Sequence, residues 1–243
     1  DFFHARQRQW MFHPAVAHAL GRRESDVTFG PVIQYSTTDS SVDRYISRER
    51  PYGFGNFGQA GLRLGVRYDA RDNVGYTTRG FLVDATASVV PALWDVESAF
   101  SQLSGSATTF FELALPTHPV LAFRAGGWRV WGEAPFDELA FIGGRGTIRG
   151  LDAQRYAGDA SIYGTSELRV PVARLRYILP LDVGVLGFVD AGRVYVDGAS
   201  PTGWHAVAGG GLWFGILDQA TGFSVSLTSS DEKRVLLGTG LRF

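Results

Sequence analysis

The sequence predicts an all-β fold, a transmembrane antiparallel β-barrel of about 12 strands, with roughly 10–12 allowed by its length and segment count. Three observations predict it. Side chains alternate with a period of two through segment after segment, the period of a strand with two unlike faces. Turn signals punctuate those segments at Asp72-Asn73 with Gly75, at Thr117-His118-Pro119, at Leu217-Asp218-Gln219 and from Ser229 to Lys233. No apolar run approaches the roughly 18 residues that a spanning helix needs. A membrane crossing must then be made by a closed sheet, which leaves no backbone group unpaired in lipid.

Taken in order, residues 1–26 form an N-terminal part and residues 27–243 the barrel. Phe2, Trp10, Phe12 and Val16 fit a strand face. They fit equally an amphipathic helix at the membrane surface, broken near Pro14, where a ring replaces the backbone N–H. Strands follow near 27–38, 57–70, 77–91, 104–116 and 119–133, and then near 159–173, 178–196, 203–217, 220–229 and 234–243. In the second of these, Ala60, Leu62, Leu64, Val66 and Tyr68 oppose Gln59, Gly61, Arg63, Gly65, Arg67 and Asp69. In the third, Phe81, Val83, Ala85, Ala87 and Val89 oppose Gly80, Leu82, Asp84, Thr86 and Ser88. Later, Leu168 and Val170 oppose Tyr163, Thr165, Glu167 and Arg169, while Leu181, Val183, Val185, Val189 and Ala191 oppose Asp182, Gly184, Phe188, Asp190 and Gly192. Phe223, Val225 and Leu227 oppose Ser224, Ser226 and Thr228.

A soluble sandwich alternates too, but its outward face is polar and commonly rich in Lys and Glu. Here the polar face is small, built from Gly, Ser, Thr, Gln and Arg, and the strands often exceed ten residues. Spanning strands need roughly 9–11 residues at a tilt. Trp128, Trp131, Trp204, Tyr35, Tyr68, Tyr177 and Tyr195 sit near strand ends or on apolar faces, as interfacial girdles require. Trp213 falls on the inward face.

Composition excludes other classes. A net charge of −1 offers nothing to nucleic acid. With no cysteine, disulfides and thiolate metal sites are excluded. His4, His13, His18, His118 and His205 are scattered, without metal-ligand spacing. No nucleophile elbow, HExxH or phosphate loop appears. The expectation is no enzyme, no catalytic residue, no metal and no cofactor. The chain starts at Asp1 without a visible signal peptide, as a processed or trimmed product would.

One connection is long: EAPFDELAFIGGRGTIRGLDAQRYAGDA, from Glu133 to Ala160. Phe136, Leu139, Phe141, Ile142, Ile148 and Leu151 argue against disorder. Gly143, Gly144, Gly146 and Gly150 permit sharp turns. Such a loop can fold into the lumen and pack there. Glu167, Phe188 and Asp190 all fall on the inward face, where the Arg149 guanidinium can reach either carboxylate and stack on the ring. A planar, always-charged donor fork suits this better than Lys.

The run GGRGTIRG, then RYAGDA, then SIYGTSELRVPV resembles the hallmark of the BamA/TamA superfamily of outer-membrane protein assembly factors. In that family an Arg-Gly pair sits at the tip of a loop that re-enters the barrel. Here it is Ile148-Arg149-Gly150, followed by Leu151 where the family has an aromatic residue. The family's Glu-Leu-Arg-x-Pro phrase matches Glu167 to Pro171, and its Phe-x-Asp-x-Gly matches Phe188, Asp190 and Gly192. Five strands follow the loop, as in the family. The resemblance covers the chain from about Val27 onward and implies a bacterial outer-membrane barrel. It further implies a short form lacking the N-terminal periplasmic domains, or one from which they were removed.

Val235, Leu237, Thr239, Leu241 and Phe243 alternate with Leu236, Gly238, Gly240 and Arg242 up to the terminal Phe. This resembles the signal by which the cell's barrel-assembly machinery inserts such chains, through an exposed strand edge. Gly238 and Gly240 would weaken that closing strand. The resemblance implies insertion or translocation of unfolded outer-membrane or secreted clients through a weak seam between first and last strands. Two other readings stay open: a secretion barrel for one fused or partner protein, and a plugged pore or structural barrel. Outer-membrane lipid is the expected environment, and edge-to-edge pairing makes a homodimer an expected possibility.

Overall fold

A computed structural model of the chain describes residues 6–21, 24–39, 45–176, 180–197, 199, 201, 203–216, 221–229 and 233–239. The elements are β1 (Gln7–Phe12), β2 (Val16–Ala19), β3 (Asp26–Thr38), α1 (Tyr45–Glu49), β4 (Asn56–Asp69), β5 (Gly80–Val90), β6 (Phe100–Glu112) and β7 (Val120–Trp131), followed by β8 (Ala140–Ile142), β9 (Tyr156–Gly158), β10 (Ala160–Arg176), β11 (Pro180–Tyr195), β12 (His205–Ile216), β13 (Thr221–Thr228) and β14 (Val235–Thr239). Twelve strands form one sheet in the order β1-β3-β4-β5-β6-β7-β10-β11-β12-β13-β14, with β2 also on β3. β8 and β9 pair separately within the long loop.

All ten segments read from alternation are strands. The N-terminal stretch forms strand rather than helix in its described part. β1 pairs with residues 33–38 of β3 and β2 with residues 26–29. The two are therefore one line of chain along β3, interrupted at His13-Pro14-Ala15, where Pro14 has no N–H to give to a ladder. Among the described residues, the outer edges of β1 and β14 carry no partner strand, so no pairing closes the sheet.

Residue contacts group the chain into two units: Asp1–Tyr68, Asp84–Gly105 and Trp128–Ala140 in the first, and Asp69–Val83, Ser106–Gly127 and Phe141–Phe243 in the second. Each shows the same inversion of the soluble pattern. In the first, Trp10, Phe12, Val16, Phe29, Ile33, Leu62, Leu64 and Val66 are exposed, while Gln34, Ser36 and Gln59 are buried on the opposite face. In the second, Val185 and Val189 of β11 are exposed, while Asp182, Phe188 and Asp190 are buried. A contiguous bare apolar face this large marks a surface whose solvent is not water. In the first unit, antiparallel succession puts the β3–β4 and β5–β6 connections at one end of the strands and the β2–β3 turn at the other. Outer-membrane sheets carry their longer loops outside the cell.

Candidate functional site

The site lies wholly in the second unit, where the tip of the long loop meets β10 and β11. Both strands alternate strictly, so Glu167, Asp190 and Phe188 share one face; in register, Glu167 opposes Phe188 and Thr165 opposes Asp190. Arg149 comes down on all three. Its backbone N–H donates to Asp190 Oδ2 at 2.8 Å, its Nε to the same oxygen at 2.9 Å and its Nη2 to Oδ1 at 2.8 Å. Its Nη1 donates to Glu167 Oε2. The guanidinium carbon lies 3.6 Å from the centroid of Phe188. One planar cation thus engages two carboxylates edge-on and a ring face-on, which Lys geometry does not allow.

Asp190 is 0% exposed and Arg169 is 0% exposed. Arg169 was not among the expected partners of the loop motif. Its Nε donates to Glu167 Oε1 at 2.7 Å, and its guanidinium lies 5.7 Å from the Phe110 ring. Glu167 therefore bridges two arginines. The signal was present, since Arg169 shares the inward face with Glu167 two residues away, but it looked like a solvated lumen charge. Buried charges are tolerated only when paired and hydrogen-bonded, and each of the two cations and two anions here is hydrogen-bonded to a partner of opposite sign.

The rest of the loop tip is shaped to deliver Arg149. Gly150 has φ of 88°, and a Cβ there would lie 2.8 Å from the Thr228 side chain. Ile148 is fully buried with Ile142, Val194 and Val207, with Leu151 and Tyr156 packed around them. Gly192 leaves room for it: a Cβ at Gly192 would lie 3.1 Å from Ile148 Cδ1. Gly143 N–H donates to Thr147 Oγ1 at 2.7 Å, and the Gly144 carbonyl accepts from Thr147 N–H at 3.2 Å. Arg234 Nη1 holds Asp152 at 2.7 Å. Gly238 pairs with Ser224 in the β13–β14 ladder; Gly240, Leu241 and Phe243 lie outside the described residues.

A second cluster adjoins through Phe188. Tyr76, from the turn after β4, packs on Trp213 with centroids 4.9 Å apart. Both are buried with Phe110, Val120, Ala122, Leu186 and Phe188. Burial pushes the Tyr76 phenol up to about 12.

Within the first unit, the start of the long loop is held by glutamines that sequence reading left unassigned. Gln9 Nε2 and Gln34 Nε2 donate to Asp137 Oδ2 at 2.9 and 3.3 Å. Gln59 Nε2 donates to Glu138 Oε1 and Gln102 Nε2 to Glu138 Oε2, at 2.7 and 2.8 Å. Burial, then the neighbouring Glu138 charge, pushes the Asp137 carboxyl up to about 6. Gln34 and Gln59 are register partners on a buried face, which is the signal that could have flagged them. Among the described residues no cluster of His, Asp and Glu is arranged to hold a metal.

An antiparallel sheet with a bare apolar face, and a loop fastened by charge to its other face, defines a membrane-spanning protein of the outer-membrane β-barrel type. Residues 13–243 match the model of the Omp85 superfamily domain. The chain belongs to the Omp85 superfamily, and its place is the bacterial outer membrane. Among solved structures, it is similar to that of BamA from Haemophilus ducreyi lacking POTRA domains 1-3, with a TM-score of 0.70 and 16% identity. The match covers 97% of this chain and 55% of that one. No curated protein matches the sequence.

Proposed function

We propose that this chain inserts or translocates unfolded client proteins at the outer membrane through the free edge of its last strand. The observation that carries the reading is β14. Its described part, Val235–Thr239, pairs with β13 on one side, contains Gly238, and has no partner on its other side among the described residues. An unpaired edge of this kind is a template for an incoming strand, and an interior Gly lowers the cost of parting it from its neighbour. Superfamily membership supports the same reading. The Arg149 cluster supports a barrel whose interior is occupied by its own loop, which weighs against a wide open pore. Client proteins, outer-membrane lipid and the cell's assembly machinery are its proposed partners.

The test uses the absence of native cysteine. Leu237→Cys places a thiol in β14, and Leu64→Cys places one in the middle of the sheet. Each variant is reconstituted in vesicles and given an unfolded barrel client with a single cysteine in its terminal strand. The proposal expects accelerated client folding and a mixed disulfide at position 237 but not at 64. Client folding no faster than in empty vesicles, or equal cross-linking at both sites, would overturn it.

A further inference from the structure

The connection between β5 and β6 holds one ring in a costly conformation. Trp94 has φ of 67°, a left-handed conformation that is strained for a bulky residue. Asp95 holds the turn in place: Gly58 N–H donates to Asp95 Oδ2 at 2.7 Å, and Asp95 N–H donates to the Gly58 carbonyl at 3.2 Å. The Trp94 indole is thereby laid against Gly58, where a Cβ would lie 2.2 Å from the ring. It also stacks on Tyr35, with centroids 5.9 Å apart and an interplanar angle of 24°. Even so, Trp94 stays 55% exposed and its neighbour Leu93 58% exposed. The strain does not serve core burial; it holds a ring on the bare apolar face.

Register shows what surrounds that ring. Trp10, Tyr35 and Gly58 lie in one row across β1, β3 and β4. On the same face, one row toward the ring's apolar side, lie Phe12, Ile33 and Ala60. One row the other way, toward the long loops, lie Arg8, Thr37 and Asn56, all exposed. From Val27 to Tyr35 the apolar band runs roughly 26 Å along the strand at about 3.3 Å per residue, which at a tilt of about 40° covers about 20 Å of an apolar belt about 25 Å tall. The Trp94 row therefore falls where hydrocarbon gives way to headgroups. Beyond it, Arg6 and Asp39 lie side by side, Asp39 N–H donating to the Arg6 carbonyl at 2.8 Å. Arg8 supplies a cation to this row, with the Thr37 hydroxyl and the Asn56 amide in register beside it.

We propose that this patch seats an outer-leaflet lipid with an anionic phosphate headgroup, its acyl chains along Phe12, Ile33 and Leu62 and its headgroup at Arg8, Thr37 and Asn56. Trp94 and Tyr35 form the floor between them, as aromatic rings do at membrane interfaces. A single interfacial Arg favours an anionic over a neutral lipid by about fivefold.

The test follows Trp94 fluorescence in vesicles of phosphatidylcholine, as the difference between the natural chain and Trp94→Phe. Bromine-labelled phosphatidylglycerol or bromine-labelled phosphatidylcholine is added at equal mole fraction. The expected result is two- to fivefold stronger quenching by the anionic lipid. Arg8→Gln should abolish that preference while leaving quenching by the neutral lipid, and Gly58→Ala, which displaces the ring, should reduce both. Circular dichroism confirms that each variant is folded. Equal quenching by the two lipids in the natural chain overturns the headgroup seat. Quenching by neither places Trp94 away from lipid and overturns the proposal whole.

Discussion

Arg149 holds Asp190 by three hydrogen bonds, one from its backbone and two from its guanidinium, across 41 positions of chain. Because Asp190 is fully buried, the pair acts as a fastener for the loop more than as a source of net stability. Removing one partner of a buried pair costs about 3–5 kcal/mol, since it strands the other charge. Arg149→Ala should therefore release the loop tip, and Asp190→Asn should do so less severely. The double variant should cost less than the sum of the two single ones. Hydrogen exchange over residues 143–155 measures this, and strict additivity would show the two residues to be uncoupled.

Arg149→Lys keeps the charge but loses the planar fork. It should retain one contact to a carboxylate and lose the simultaneous engagement of Glu167 and Asp190. Trypsin cleavage after Arg145, in the same loop, should be faster than in the natural chain and slower than in Arg149→Ala. Equal rates for Lys and Arg would mean that charge alone suffices.

Gly150→Ala tests the turn that delivers Arg149. The left-handed φ and the contact with Thr228 both oppose a side chain, at a combined cost of about 1–3 kcal/mol. The same exchange measurement should show a loosened loop with the Arg149 side chain intact.

The Asp137 carboxyl, pushed up to about 6 by burial and then by Glu138, stands above its ordinary value of 3.8. The folded state thus holds this proton more tightly than the unfolded state. Its contribution is full below about pH 4 and is lost as pH rises through about 6, a change of roughly 3 kcal/mol at most. Opening of the loop start should therefore become easier from pH 4 toward 6 and level off above. Asp137→Asn should remove that slope, as followed by exchange at residues 135–139.

Tyr76 buries its hydroxyl without a hydrogen-bond partner among the described residues. Tyr76→Phe should be neutral or stabilising, because it removes an unsatisfied group. Tyr76→Ala should cost about 3–5 kcal/mol through the cavity left against Trp213. Thermal unfolding in detergent separates the two, and equal losses would mean that the hydroxyl, not the ring, is used.

Much of this was legible because one physical regularity is written on every strand. A face that meets lipid must be apolar at each second position, so Val185 and Val189 disclose that Phe188 and Asp190, of the opposite parity, face the other way. The loop motif was legible for a different reason: Arg149, Glu167 and Asp190 stand at positions that resemble a family motif. Arg169 was harder, because alternation gives the face of a charge but not its partner. Gln9, Gln59 and Gln102 were harder still, since they converge on Asp137 and Glu138 only through pairing of strands far apart in sequence. Trp94 could not be read at all. Its position depends on a left-handed backbone and on Gly58, which lies 36 positions earlier.

The central claim is that the bare apolar face meets lipid and the charged face is turned away from it. Single nitroxide labels at Val185, Val189 and Leu212, compared with labels at Thr165 and Ser226, test it directly in vesicles. The account predicts that lipid-dissolved oxygen relaxes the first three strongly and the last two weakly, while an aqueous nickel chelate fails to reach the first three. Oxygen access to Thr165 and Ser226 equal to that at Val189, or nickel access along Val185 and Leu212, would contradict it.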